Sequence, residues 1–241
     1  MADRWLLLPS PFLGPAAYGP LADVLAAHSD AARVADLPPS PFTPPDVLAS
    51  FAAQAADFAV TALVPHSNAG LYAPSIWATT PTVAATIYVD AALPAPDATQ
   101  TPLAPPAFAD HVAVMAGDDG LLPPWTRWWD AAELGPLFPS PEWFTRVDRN
   151  APAVPAAYVR SFLPVPAGWT VEPNAYLAFG ETYAAELSTA RDLGWPADVM
   201  DGQHLHLLTD PDGVAARIRA LRERCATQGA AQLPKRRLRS P

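Results

Sequence analysis

The sequence predicts an α/β domain built on a mostly parallel sheet of about six strands, flanked by helices and carrying an inserted helical cap. Three observations predict it. Short apolar runs such as Phe58–Val64 and Val83–Val89 suit strands buried on both faces. Between such runs lie segments with apolar residues at helical spacing, and the transitions are marked by Pro, Gly, Ser, Asn or Asp. Strands alternating with helices imply a sheet covered on both faces, whose functional groups gather in loops at the carboxyl ends of the strands.

Trp5–Leu8 reads as the first strand, ending at Pro9-Ser10-Pro11-Phe12-Leu13-Gly14-Pro15. Ala16–His28, with Leu21, Val24 and Leu25 on one side, reads as a helix laid on the sheet. A short strand follows over Arg33–Leu37. Thr43-Pro44-Pro45-Asp46 opens a second helix, with proline in the first turn where its missing N–H costs nothing. Val47, Phe51 and Ala55 give that helix its buried face. The central strand, from Phe58, runs into Pro65-His66-Ser67-Asn68-Ala69-Gly70, after which small and apolar residues wind away as a helix. A serine pinched between such a strand and such a helix stands on a tight turn, hydroxyl raised above the sheet edge. Val83–Val89, closed by Asp90, is the next strand.

From Pro94 to about Pro173 the alternation stops in a stretch dense in proline and aromatics, among them Trp125, Trp128, Trp129, Trp143 and Trp169. This reads as a cap inserted into the sheet domain, so the expected division is 1–93 and 174–230 for the core, 94–173 for the cap and 231–241 for a tail. Ala175–Phe179 resumes as a strand, followed by a helix over Thr182–Leu193 and a last strand over Ala197–Met200. The loop Asp201-Gly202-Gln203-His204-Leu205-His206 leads to Thr209-Asp210-Pro211, where a capping side chain precedes a first-turn proline. Val214, Ile218, Leu221 and Cys225 mark the final helix's buried stripe. Lys235-Arg236-Arg237-Leu238-Arg239 reads as a frayed basic tail.

Composition narrows the function. The 241 residues are 50% hydrophobic and 16% charged, enough for a sizeable core. A net charge of −9 argues against nucleic acid as a partner. Cys225 is the single cysteine, which rules out an internal disulfide, and no Cys/His spacing resembles a zinc site. Trp5-Leu6-Leu7-Leu8 falls far below a signal-peptide core or a membrane span, which gives the expectation of a cytoplasmic protein without membrane attachment. A small molecule is the expected partner; a homo-oligomer is possible but not indicated.

His66-Ser67-Asn68-Ala69-Gly70, the late His204 before Asp210-Pro211, and the order nucleophile, acid, histidine together resemble the α/β-hydrolase superfamily, over nearly the whole chain. The chain would be a shortened version, lacking two opening strands. Where the family's G-x-S-x-G turn has glycines, this sequence has Pro65 and Ala69. The resemblance implies Ser67 as nucleophile and His204 as the base that takes its proton. It implies a carboxylate to orient the imidazole: Asp90, at a placement used by some lipases, ahead of Glu181, with Glu186 third. Tyr183 stands where the usual acid would be. The implied oxyanion donors are the backbone N–H groups of Asn68 and, since Pro11 has none, of Phe12. His66, Tyr183, His206, Trp125 and Trp128 complete the expected pocket.

The leading expectation is a serine hydrolase, esterase- or thioesterase-like, acting on a small, mainly apolar acyl compound; the resemblance implies no need for a metal or cofactor. A lyase, isomerase or cyclase using the pocket for proton transfer, with Tyr183 or His204 as acid or base, is the alternative. A non-catalytic ligand-binding protein is the second.

Overall fold

The computed structural model describes residues 2–27 and 31–232. His28 and the basic tail at 235–239 lie outside the described residues. In chain order the strands are β1 (Arg4–Leu8), β2 (Ala31–Val34), β3 (Ala62–Ser67), β4 (Ala85–Ala91), β5 (Gln100–Pro102), β6 (Leu121–Leu122), β7 (Val154–Pro155), β8 (Phe162–Pro164), β9 (Asn174–Phe179) and β10 (Ala197–Met200). The helices are α1 (Gly19–Ala26), α2 (Pro44–Asp57), α3 (Ala73–Thr79), α4 (Pro106–Ala113), α5 (Ala131–Leu134), α6 (Pro141–Arg149), α7 (Ala184–Asp192), α8 (His206–Thr209) and α9 (Pro211–Gln232).

Six strands form one parallel sheet in the order β10-β9-β4-β3-β1-β2. Successive residues of a strand face opposite layers, and β1 shows the consequence. Trp5 and Leu7 join the layer of Leu21 and Leu25 on α1 and of Val214, Ile218, Leu221 and Cys225 on α9. Leu6 and Leu8 join the layer of Val47 and Phe51 on α2 and Ile76 on α3. Phe51 is fully buried, and its transfer from water contributes about 1.5–3 kcal/mol. The chain leaves β1 towards β2 on one side and returns to β3 on the other. The sheet's switch point therefore lies between the carboxyl ends of β1 and β3, where the crevice of such a sheet opens.

The predicted elements are present, with shifted bounds. The central strand begins at Ala62, not Phe58, because Phe58 caps α2 and Ala59 turns the chain at φ 47°. Phe58 and Val60 are buried as a turn, which an apolar run alone cannot distinguish from a strand. α2 opens as expected: the Asp46 carboxylate accepts from the Thr43 N–H at 2.9 Å and from its hydroxyl at 2.6 Å. Asp210 caps α9 by accepting from the Gly213 N–H at 3.0 Å. Between β4 and β9 the chain builds two small antiparallel ribbons, β5 with β8 and β6 with β7, among short helices. No helix among the described residues is long and apolar enough to cross a membrane.

One contact fixes the turn after β3. A Cβ on Gly70 would lie 2.1 Å from the carbonyl oxygen of Ala92, so the turn can press against the end of β4 only with glycine there. Gly70→Ala should cost about 1–3 kcal/mol, whereas Gly19→Ala, where the added methyl meets nothing within 4 Å, should leave stability unchanged or raised. Urea unfolding of both variants against wild type checks this; equal midpoints would show that the contact relaxes freely.

Candidate active site

The site grows from the carboxyl end of β3. Ser67 ends that strand at φ 56° and ψ −134°, a conformation L-residues rarely hold, and a 3₁₀ turn over Asn68–Leu71 starts immediately after it. As the first residue of that turn, Asn68 has no intrahelical acceptor for its N–H. Its side chain has another task. The amide donates to the Leu103 carbonyl at 2.6 Å and accepts from the Tyr158 hydroxyl at 3.1 Å, tying the β4–β9 segment down onto the elbow.

At the same level the ladder between β3 and β4 slips. His66 pairs with Val89 and Ser67 with Ala91, leaving Asp90 as the extra residue of a bulge, at φ 40°. A bulge re-aims a side chain, and here it sends a wholly buried carboxylate towards the next loops. One Asp90 oxygen accepts from the Phe179 N–H at 3.0 Å, and the other lies 2.6 Å from His204 Nδ1. A carboxylate partner makes Nδ1 the protonated nitrogen, so a neutral His204 ring keeps its Nε2 lone pair for a substrate proton.

His66 lies beneath that ring, stacked on it with centroids 4.5 Å apart. Its Nε2 is 2.9 Å from the His204 carbonyl, which can only accept, so Nε2 donates and Nδ1 is the acceptor. Nδ1 therefore takes the Tyr18 hydroxyl proton at 2.8 Å, and the Tyr18 oxygen accepts from the Ser10 N–H at 2.9 Å. Both ring nitrogens and the phenol are thereby satisfied. Burial, and secondarily charge on His204, holds the His66 imidazole well below its ordinary range, so it stays neutral. Burial likewise pushes the Tyr18 phenol up, keeping its proton in place.

The loop after β1 folds over Ser10, whose carbonyl accepts from the N–H groups of Leu13 and Gly14. Among the described residues the Phe12 N–H has one hydrogen bond, long at 3.4 Å, to Ser10 Oγ, and is loosely engaged. On the opposite side of Ser67, Gly180 at φ 62° ends β9 sharply, and Tyr183 follows before α7. The Tyr183 hydroxyl is 3.4 Å from Ser67 Oγ, and its ring centre is 5.7 Å from that of His204. Burial raises its pKa above the ordinary phenol range. Among the described residues no hydrogen bond joins Ser67 to His204; the serine hydroxyl is turned towards Tyr183 instead.

These groups face a cavity of about 820 Å³, within the range of small-molecule sites. Ser67, Asn68, Tyr183 and His204 line it, with Phe12, Phe108, Leu103, Trp125, Trp128 and Trp129 as its apolar wall. Phe12 and Trp128 meet edge to face at 5.0 Å, and the Trp125 ring centre is 6.2 Å from that of His204. Of the residues expected in the pocket, Trp125, Trp128 and Tyr183 line it. His66 and His206 do not: His66 is sealed under His204, and His206 packs on Phe179 and hydrogen-bonds Thr209. Glu181 is exposed, and no bond links it to His204 among the described residues. The carboxylate that does reach His204 is Asp90.

Sequence reasoning missed the Tyr18–His66 bond, which spans 48 residues and leaves no local signal. Glu186, the third candidate for the acid, lines the cavity from the first turn of α7, and burial raises its pKa. His66, Asp90 and His204 offer donor atoms within 4.8 Å of one another, the spacing of a metal set. Yet both His66 nitrogens and His204 Nδ1 already hold the partners named above, so the donor set does not fit an ion without dismantling them.

No protein-family model and no curated protein matches the chain. Solved structures do. A pyrethroid hydrolase, PytH, bound to BIF superposes with a TM-score of 0.63 at 19% identity, covering 92% of this chain and 97% of that one. A proline iminopeptidase-related protein from Thermus thermophilus gives a TM-score of 0.51 at 18% identity over 93% and 89%. The bottromycin epimerase BotH, in complex with bottromycin A2, gives 0.58 at 13% identity over 91% and 90%.

A neutral buried His66 has a measurable signature. Its folded-state pKa lies below the unfolded value of about 6.5, so the unfolded chain binds the extra proton and stability falls on acidification below that pH. Between pH 6.5 and 5 this contributes up to about 1.4 kcal/mol per pH unit, and His66→Gln should flatten the slope of urea-derived stability. Parallel slopes for the two proteins would mean that His66 is charged in the fold.

Proposed function

The chain has the α/β-hydrolase fold, and from that premise we propose that it is a serine hydrolase, esterase- or thioesterase-like, acting on a small, mainly apolar acyl compound. The observation that carries this reading is the strained Ser67 elbow opening on the same cavity as a His204 imidazole held by buried Asp90. In this reading Ser67 turns about χ1 from Tyr183 towards His204 Nε2. Its oxygen attacks the acyl carbon, its proton passes to Nε2, and Asp90 stabilises the imidazolium. The charge forming on the carbonyl oxygen is met by the N–H groups of Asn68 and Phe12. Collapse of the tetrahedral intermediate hands the proton to the leaving group, and water repeats the sequence on the acyl-enzyme. The apolar wall supports an apolar acyl group.

A second reading has its own support. The Ser67 hydroxyl rests on Tyr183 rather than on His204, and one structurally similar protein is an epimerase. Here Tyr183 and His204 would pass protons to and from a substrate carbon, without acylation of Ser67.

Three variants and one probe separate them. A phosphonate serine probe should label wild type and fail on Ser67→Ala, and Asp90→Asn should lower kcat by about 10⁴ by upsetting the His204 tautomer. Labelling of Ser67→Ala as strong as wild type removes the hydrolase reading. Turnover that survives Ser67→Ala but not His204→Ala favours proton transfer.

A further inference from the structure

The strand order places two kinds of hydrogen-bond donor on opposite sides of Ser67. β1, carrying the Phe12 N–H in its following loop, flanks β3 on one side; β4 and then β9, which leads to Tyr183, lie on the other. In the serine-hydrolase reading, the oxyanion of the tetrahedral intermediate on Ser67 faces the backbone donors, on the Phe12 and Asn68 side. The leaving group then departs on the side of His204, the group that must protonate it, and there the Tyr183 hydroxyl stands 3.4 Å from Ser67 Oγ with its ring beside the His204 ring.

Building on the serine-hydrolase reading, we propose that Tyr183 is a catalytic residue that donates a hydrogen bond to the leaving-group oxygen as its bond to the acyl carbon breaks. In the resting site the hydroxyl of Ser67 occupies that position. Once Ser67 has attacked, its oxygen is bonded to carbon and the departing oxygen takes over the contact. The bond between acyl carbon and departing oxygen breaks, its electron pair goes to that oxygen, and the proton delivered is the one His204 took from Ser67. Tyr183 keeps its own proton throughout. Its hydroxyl stabilises the alkoxide character that develops before the proton arrives. Burial holds the phenol in its protonated form, so the donor persists across the working pH range. Tyrosine at the position where the resemblance places an acid is thereby used: with Asp90 orienting His204 from β4, the place after β9 is released for a donor.

The role requires that the effect depend on the leaving group. Tyr183→Phe keeps the ring and removes only the hydroxyl. Within one acyl series, kcat/KM, which reports acylation, should fall about a hundredfold for alkyl esters and change little for the p-nitrophenyl ester, whose phenolate needs no such help. The plot of log kcat/KM against leaving-group pKa therefore becomes steeper. A uniform drop across the series, or none, overturns the role of Tyr183 while leaving serine hydrolysis intact. A wild type that neither cleaves any ester of the series nor reacts with the phosphonate probe overturns both readings.

Discussion

The site depends on two adjacent strands being forced out of regular geometry at the same level. Ser67 and Asp90 both hold positive φ, at the end of β3 and beside it on β4, where the register slips by one residue. Each such conformation costs on the order of 1–3 kcal/mol and persists only when its surroundings over-determine it. They do so here: Gly70 lets the turn press on the Ala92 carbonyl, the Ala92 N–H donates to the Ser67 carbonyl at 3.0 Å, and Tyr176 holds the Ala91 backbone from both sides. The hydroxyl and the carboxylate of one candidate reaction centre are thus set by one local distortion of the sheet.

Under that distortion runs a buried polar chain from the loop after β1 to the loop after β10. Ser10, Tyr18, His66 and the His204 backbone are joined end to end, across the face of the sheet that is otherwise apolar. A half-satisfied network there would cost more than an apolar core. A complete one fixes two loops that no neighbouring strands connect. Asn68 does the same above the sheet, holding the segment between β4 and β9 over the elbow.

Much of this was legible in the sequence, for identifiable reasons. Continuous apolar runs and proline-marked helix starts reveal the alternation, and the buried stripe of α9 is readable because helical spacing over a long segment is a strong signal. Bounds were less legible: Phe58 and Val60 are as apolar as a strand yet bury themselves from a turn. Ser67, His204 and Asp90 were readable as candidates from their places at strand ends. Asp90 stands ahead of Glu181 by resemblance alone; the bulge that carries its carboxylate to His204 is announced by no residue pattern. Nor could side-chain direction be read: His66, near the end of β3, and His206, at the start of α8, are close in sequence to the site but do not line the cavity, whereas Trp125 and Trp128 do.

The aromatic wall has a practical corollary. Of eight tryptophans, Trp125, Trp128 and Trp129 border the cavity, while Trp5, Trp169 and Trp195 are sealed in the layers of the fold. Indole emission follows the polarity around the ring, so a guest that expels solvent from this chamber alters the light from three fluorophores against a steady background from the others. The molecule therefore carries its own optical gauge of occupancy, readable without a dye, a label or any turnover.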